Sequence, residues 1–233
     1  MVVEGIKGVL ELLNSSLVTE RIYVTSGFAV AELESYDVEI IDVSSKDMEI
    51  MSSLKKAPGV LAVGAIKTYE PQIIIDRLSS CKENGVPAIM ILDDLVDPGN
   101  VGTLVRSAHW FQLAGVICSP RTVDVWNTKC IQASMGSVFS MPICVADPVE
   151  FITKHNLNCA ALDAGGENIH QSEQFPDAFI VGSESHGLSP ELQKVCKTTW
   201  AIPGYGGAES LNASIAGAIV TAELARRHSI SNS

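Results

Sequence analysis

The stretch Val86-Pro87-Ala88-Ile89-Met90-Ile91-Leu92-Asp93-Asp94-Leu95-Val96-Asp97-Pro98-Gly99-Asn100-Val101-Gly102-Thr103-Leu104-Val105-Arg106-Ser107-Ala108 carries one full strand–loop–helix unit. Residues 86–92 are an apolar run of strand length, and the loop after them is rich in Asp, Pro, Gly and Asn. Beyond it Val101, Leu104, Val105 and Ala108 fall at helical spacing, so a helix is expected over 101–113. The alternation continues toward the C-terminus. Strands are expected at 86–92, 115–118, 141–145, 159–162, 178–182 and 198–202. Helices are expected at 101–113, 123–135, 148–155, 190–195 and 209–227. Strand-then-helix repetition implies βαβ units and a mostly parallel sheet covered on both faces.

Upstream of this region lies a smaller α/β unit. Ile6, Val9, Leu10 and Leu13 predict a helix over 4–14, and 21–25, 38–43 and 59–66 are β-prone. Ser44 reads as an N-cap with Asp47 at the third helical position. Residues 68–85 mix a proline, charges and an amphipathic stretch, so the expected division is 1–67, a connecting segment 68–85, and 86–233. The 233 residues are 46% hydrophobic and 18% charged, an ordinary globular composition of one large or two small domains. The longest apolar runs fall far short of the roughly 20 residues of a membrane span. The start, Met1-Val2-Val3-Glu4-Gly5, has no basic-then-apolar secretory pattern. Six cysteines without a CxxC pair read as buried free thiols, which argues for a reduced cytoplasm and against a cysteine-built zinc site. The five histidines show no metal-ligand spacing; His109 reads as a helix-packing residue and His228 as tail.

Three loops at the carboxyl ends of expected strands concentrate Gly, Pro, Asn and acid: 93–102, 182–190 and 203–212. In open parallel sheets that is where ligands bind. Backbone N–H and C=O groups in such loops can read a nucleoside, although turn residues alone also account for any one of them. No GxGxxG follows a strand, and no GxxxxGK[ST] is present, so neither a dinucleotide site nor a P-loop is supported. Glu184-Ser185-His186-Gly187 approaches a hydrolase elbow, but Ser183 stands where the first glycine belongs. Asp93, Asp94 and Asp97 could hold Mg²⁺; capping a turn and helix is the stronger reading. Arg106 either solvates a helix face or grips a phosphate or carboxylate bidentately.

These loops also carry a resemblance. The segment Asp97-Pro98-Gly99-Asn100-Val101-Gly102-Thr103-Leu104-Val105-Arg106-Ser107-Ala108 resembles the first motif of the SpoU (TrmH-type) RNA 2′-O-ribose methyltransferases of the SPOUT superfamily. Gly182-Ser183-Glu184-Ser185-His186-Gly187-Leu188-Ser189 resembles the second. Ile202-Pro203, Gly206 and Glu209-Ser210-Leu211-Asn212-Ala213-Ser214 resemble the third, in the same order along the chain, over about 86–227. The N-terminal unit resembles the L30e-like substrate-binding domain of many members, with a start that falls late relative to that domain. Gln132-Ala133-Ser134-Met135-Gly136 departs from the more usual alanine-serine-alanine-glycine-alanine type, and Gly204-Tyr205 occupies a variable part of the third motif.

The resemblance implies an L30e-like α/β domain followed by a SPOUT α/β domain with a trefoil knot. It implies S-adenosyl-L-methionine held by the backbone at Gly182, Ile202 and Leu211, with Asn100, Arg106, Glu184, Ser210 and Asn212 around the reacting ribose. It also implies no metal, a homodimer built on the C-terminal domain, and an RNA partner, rRNA more than tRNA given the N-terminal unit. A net charge of −11 weighs against RNA unless a local patch, such as Lys55-Lys56 or Arg226-Arg227, meets it. Ile215, Ile219, Val220 and Leu224 form an apolar stripe on the last expected helix, able to serve a dimer or to pack on its own sheet. The competing classes are a non-catalytic RNA-binding or ribosome-assembly factor on the same fold, and a serine hydrolase using Ser185.

Overall fold

The computed structural model describes residues 1–29, 31–81, 85–183 and 187–231. Ten strands and eight α-helices among these residues form two sheets with flanking helices. The first sheet contains β1 (Val2–Glu4), β2 (Thr19–Thr25), β3 (Ile40–Val43) and β4 (Val60–Gly64), in the order β1-β4-β2-β3. Helices α1 (Ile6–Leu13) and α2 (Ser45–Met51) flank it. Ser44 caps α2 as expected, its side chain accepting from the Asp47 N–H. The helix expected over 4–14 begins only at Ile6, because Val2–Glu4 pairs antiparallel with β4.

The second sheet is wholly parallel, in the order β10-β8-β9-β5-β6-β7. Its strands are β5 (Ile89–Leu92), β6 (Gly115–Cys118), β7 (Ile143–Val145), β8 (Cys159–Asn168), β9 (Ala178–Val181) and β10 (Thr198–Ala201). Every residue of β5, β6 and β9 is buried, as expected of central parallel strands covered on both faces. The covering helices are α3 (Pro71–Ser80), α4 (Pro98–Trp110), α5 (Thr128–Ser134), α6 (Pro148–Lys154), α7 (Pro190–Val195) and α8 (Ala213–Ser231).

Several boundaries differ from the sequence expectation for identifiable reasons. Helix α3 forms inside 68–85, opened by Pro71 and seated by the buried Ile74, whose side chain lies over Gly115 of β6. Helix α4 starts earlier than Val101, because Asp97 accepts from the Asn100 N–H and Pro98 supplies the first helical φ. Its Val101, Leu104, Val105 and Ala108 are buried, but His109 is exposed and does not pack. Strand β8 runs on to Asn168 through small and polar residues that are exposed or half-buried, pairing Glu167 with Trp200 after a register shift. Residues 209–212 are not helical; Asn212 precedes α8, and its Oδ1 accepts from the N–H groups of Ser214 and Ile215. On α8, Val220 and Leu224 enter the core while Ile215 is exposed, so only part of the stripe packs on the chain's own sheet.

Candidate active site

The sheet order places the carboxyl ends of β5 and β9 side by side, with that of β10 two strands further on. Each end feeds one of the loops singled out in the sequence. The loops begin tied together, since the Asp93 N–H donates to the Val181 carbonyl at 3.0 Å. A second set of bonds braces the loop after β5. Ser119 Oγ accepts from the Asp94 N–H at 2.9 Å and donates to Asp94 Oδ1 at 2.8 Å. Thr122 Oγ1 donates to the Leu92 carbonyl at 2.9 Å, and Arg121 forms an ion pair with Asp94. Sequence reasoning missed Ser119, Arg121 and Thr122, for which the turn residues after β6 were the available signal. Burial pushes the Asp93 carboxyl up to about 6, helped by the charges of Asp94 and Asp147 and opposed by Arg121.

Asn100 and Asn212 are brought into direct contact. Asn212 Nδ2 donates to Asn100 Oδ1 at 3.0 Å, joining the start of α4 to the start of α8. Each amide is oriented by its own element. The Asn100 N–H donates to Asp97 Oδ1 at 2.8 Å, and Asn212 Oδ1 accepts from Ser214 Oγ at 2.6 Å. Because Oδ1 is committed to donors at α8, Nδ2 is the atom left to face Asn100. Arg106 stands six residues further along α4, roughly 9 Å down the helix axis. It is exposed, and it has no ion-pair or hydrogen-bond partner among the described residues.

The predicted cofactor positions lie on the same rim. Gly182 follows β9, where a Cβ would sit 3.1 Å from the Gly187 carbonyl oxygen and 3.2 Å from Leu188 Cδ2. A side chain at 182 would need these neighbours to give by a few tenths of an ångström, and the Gly187 N–H donates to the Ser183 carbonyl at 2.9 Å. Ile202 follows β10 and packs against the core, while Ser210 and Leu211 are exposed on the approach to Asn212. Residues 202–211 make no backbone–backbone hydrogen bond among the described residues, leaving a run of donors and acceptors at the rim. Such a backbone-lined rim fits the adenosine and amino-acid groups of S-adenosylmethionine, which need hydrogen bonds rather than metal ligands. Glu184, Ser185 and His186 lie outside the described residues, so neither the predicted role of Glu184 nor the hydrolase reading of Ser185 is placed. No group of three or more metal-ligating side chains occurs among the described residues.

Arg226 and Arg227 both bind Glu223, Arg226 by two bonds at 2.9 and 2.7 Å and Arg227 at 2.8 Å, so one carboxylate offsets part of the pair's positive charge. The Arg226 bonds in the first place, against burial, hold the Glu223 carboxyl down to about 2. Lys55 and Lys56 remain exposed on the first unit.

The SpoU rRNA Methylase family model matches residues 87–222. An uncharacterized tRNA/rRNA methyltransferase of Mycolicibacterium smegmatis is 30% identical over 239 residues, covering 96% of this chain and 75% of the relative. One from Archaeoglobus fulgidus is 34% identical over 170 residues, covering 71% of this chain and 74% of the relative. Among solved structures, a TrmH-family protein from Porphyromonas gingivalis superposes with a TM-score of 0.79 at 27% identity, covering 97% and 89% of the two chains. The SpoU methyltransferase AviRb from Streptomyces viridochromogenes, solved in complex with AdoMet, shares the fold with a TM-score of 0.83 at 21% identity, covering 97% and 89%.

Proposed function

The chain belongs to the SpoU rRNA methylase family, and from that premise we propose that it transfers the methyl group of S-adenosylmethionine to the 2′-hydroxyl of a ribose in structured RNA, rRNA before tRNA. The observation that carries this reading is the Asn212–Asn100 bond. It joins two of the family motifs, on the helix that presents Arg106, exposed and without a partner among the described residues.

S-adenosylmethionine supplies an already activated methyl group, so the burden on the protein is the poor nucleophile. Arg106 cannot act as a base, because a guanidinium keeps its proton at any ordinary pH. It grips the RNA phosphate bidentately and stabilises the charge that develops on the ribose oxygen, while the proton leaves to phosphate or water. Asn100 and Asn212, each fixed by its own cap, and Ser210 beside them orient the ribose. Glu184 completes that set. Gly182, Ile202 and Leu211 hold the cofactor through backbone groups, which keeps the rim free of side chains that would exclude it.

The wider assignment follows the same family reading: residues 1–67 as an L30e-like RNA-binding unit joined through 68–85 to the methyltransferase unit, and a homodimer formed on the C-terminal unit. The exposed Ile215 supports that dimer face, and the exposed Lys55 and Lys56 support RNA contact. A trefoil knot accords with a chain that leaves edge strand β10 and returns to seat α8 on α4 and β9. Six free thiols suit a cytoplasmic setting.

The test is methyl transfer from labelled S-adenosylmethionine to unmodified total RNA, with nucleoside mass spectrometry, for wild type beside Arg106→Ala and Arg106→Lys. A 2′-O-methyl nucleoside made by wild type and lost in both variants is expected. A base-methylated product refutes the ribose assignment, and near-full activity of Arg106→Lys refutes the bidentate grip. No product from several RNA sources, with cofactor binding intact, moves the assignment to a non-catalytic RNA-binding protein.

A further inference from the structure

Two of the six thiols, Cys159 and Cys196, meet where β8 begins and α7 ends. Cys196 closes α7 one residue before Lys197, whose N–H donates to the Cys159 carbonyl at 3.1 Å. The next residues along, Thr198 and Ala160, are partners in the parallel ladder. That register sets Lys197 opposite Cys159 and Cys196 one residue before it; with strands roughly 4.8 Å apart and about 3.3 Å per residue, the two Cα atoms fall within the about 4.4–6.8 Å that a disulfide spans. Both side chains join one apolar cluster with Ile74 of α3, Phe151 of α6 and Leu192 of α7.

The other thiols stand in a different position. Cys118, Cys130 and Cys144 are buried, and burial pushes them up, Cys130 to about 12 and Cys144 to about 11, so no thiolate is available. Burial also raises Cys81. Cys196 is partly exposed and is lowered by its contact with the Cys159 thiol, while that contact and burial raise Cys159. The pair therefore combines one accessible thiol with one buried neighbour able to resolve it.

We propose that Cys159 and Cys196 form a reversible dithiol–disulfide site that reacts with small-molecule disulfides of the oxidised-glutathione class. The Cys196 thiolate attacks one sulfur of the disulfide, forming a mixed disulfide and releasing one glutathione thiolate, which takes up the Cys196 proton. The Cys159 sulfur then bonds to the Cys196 sulfur, the bond to glutathione breaks, and the Cys159 proton goes to the departing thiolate. The protein loses two electrons and two thiol protons, and one disulfide becomes two thiols. The link ties α7, into which the second motif loop runs, to β8.

The full chain is incubated natively with oxidised glutathione, alkylated, and mapped by peptide mass spectrometry. Expected is loss of two of the six titratable thiols, recovered as one linked peptide pair containing Cys159 and Cys196, with all six restored by dithiothreitol. The oxidised form is expected to melt several degrees higher, since the link closes a loop in the unfolded chain. Cys159→Ala should stop at a glutathione adduct on Cys196, and Cys196→Ser should form neither adduct nor link. A wild-type chain that stops at the adduct, links any other cysteine, or keeps six thiols overturns the proposal.

Discussion

Replacing Gly102 by alanine sets helix propensity against packing. Gly102 lies in α4 where α5 crosses it, and a Cβ there would stand 2.4 Å from the Cys130 carbonyl oxygen and 2.7 Å from Ala133 Cβ. Ordinary contact begins near 3.4 Å, so α5 must retreat by about 1 Å. The 2.4 Å neighbour is backbone within a helix and cannot rotate aside, which places the overpacking cost in the upper part of the usual 1–3 kcal/mol. Alanine recovers about 1 kcal/mol of helix propensity. The net loss is about 1–2 kcal/mol, or a fall in Tm of roughly 2–8 °C for a chain of this size. Because α4 carries Asn100 and Arg106, a shift of that order also disturbs the site, and misplacement by about 1 Å can cost up to 10²-fold in rate. Thermal melting by circular dichroism and methyl transfer well below Tm measure the two effects. An alanine variant that melts at or above wild type with full activity refutes the close seating of α5 on α4.

Asn212→Asp keeps the acceptor that caps α8 and removes the donor to Asn100; Tm should change little while methyl transfer falls about tenfold, the worth of one hydrogen bond, whereas Asn212→Ala should lower both. Asp93 has its carboxyl raised from 3.8 to about 6, so the stability it allows is complete below pH 4 and is lost as pH rises through 6. Asp93→Asn should therefore lose less stability than wild type between pH 4 and 7, read from urea midpoints. Glu223 is lowered from 4.5 to about 2, so its contribution is present above pH 4.5 and is lost as pH falls toward 2. Glu223→Gln should melt a few degrees below wild type at neutral pH, with the gap narrowing in acid.

Much of the second sheet was legible because its strands are short apolar runs separated by capped helices. β5 reads Ile-Met-Ile-Leu, and such a run between turn signals has no other economical burial than a covered parallel strand. Ser44 and Asp97 were legible as caps, since the side chain that accepts and the N–H that donates lie three residues apart. The far half of β8 was not, because its small and polar residues form no apolar run and its pairing comes from Trp200, 33 residues from Glu167. His109 was misread for a related reason: helical spacing reports periodicity, not which neighbour covers a face.

The candidate site divides along the same line. The residue types and their order in three loops were set out by the sequence alone, because each motif is a local pattern of turn, cap and glycine that one short segment can encode. Which loops meet was decided only by the tertiary structure. Asn100 and Asn212 are 112 residues apart, and their bond exists because β9 inserts beside β5 and α8 returns to pack on α4. Cys159 and Cys196 are neighbours for the same reason, through the pairing of β8 with β10. Local chemistry selects elements within a few residues, whereas strand order is selected by how the whole core is buried at once, and no single segment carries that information.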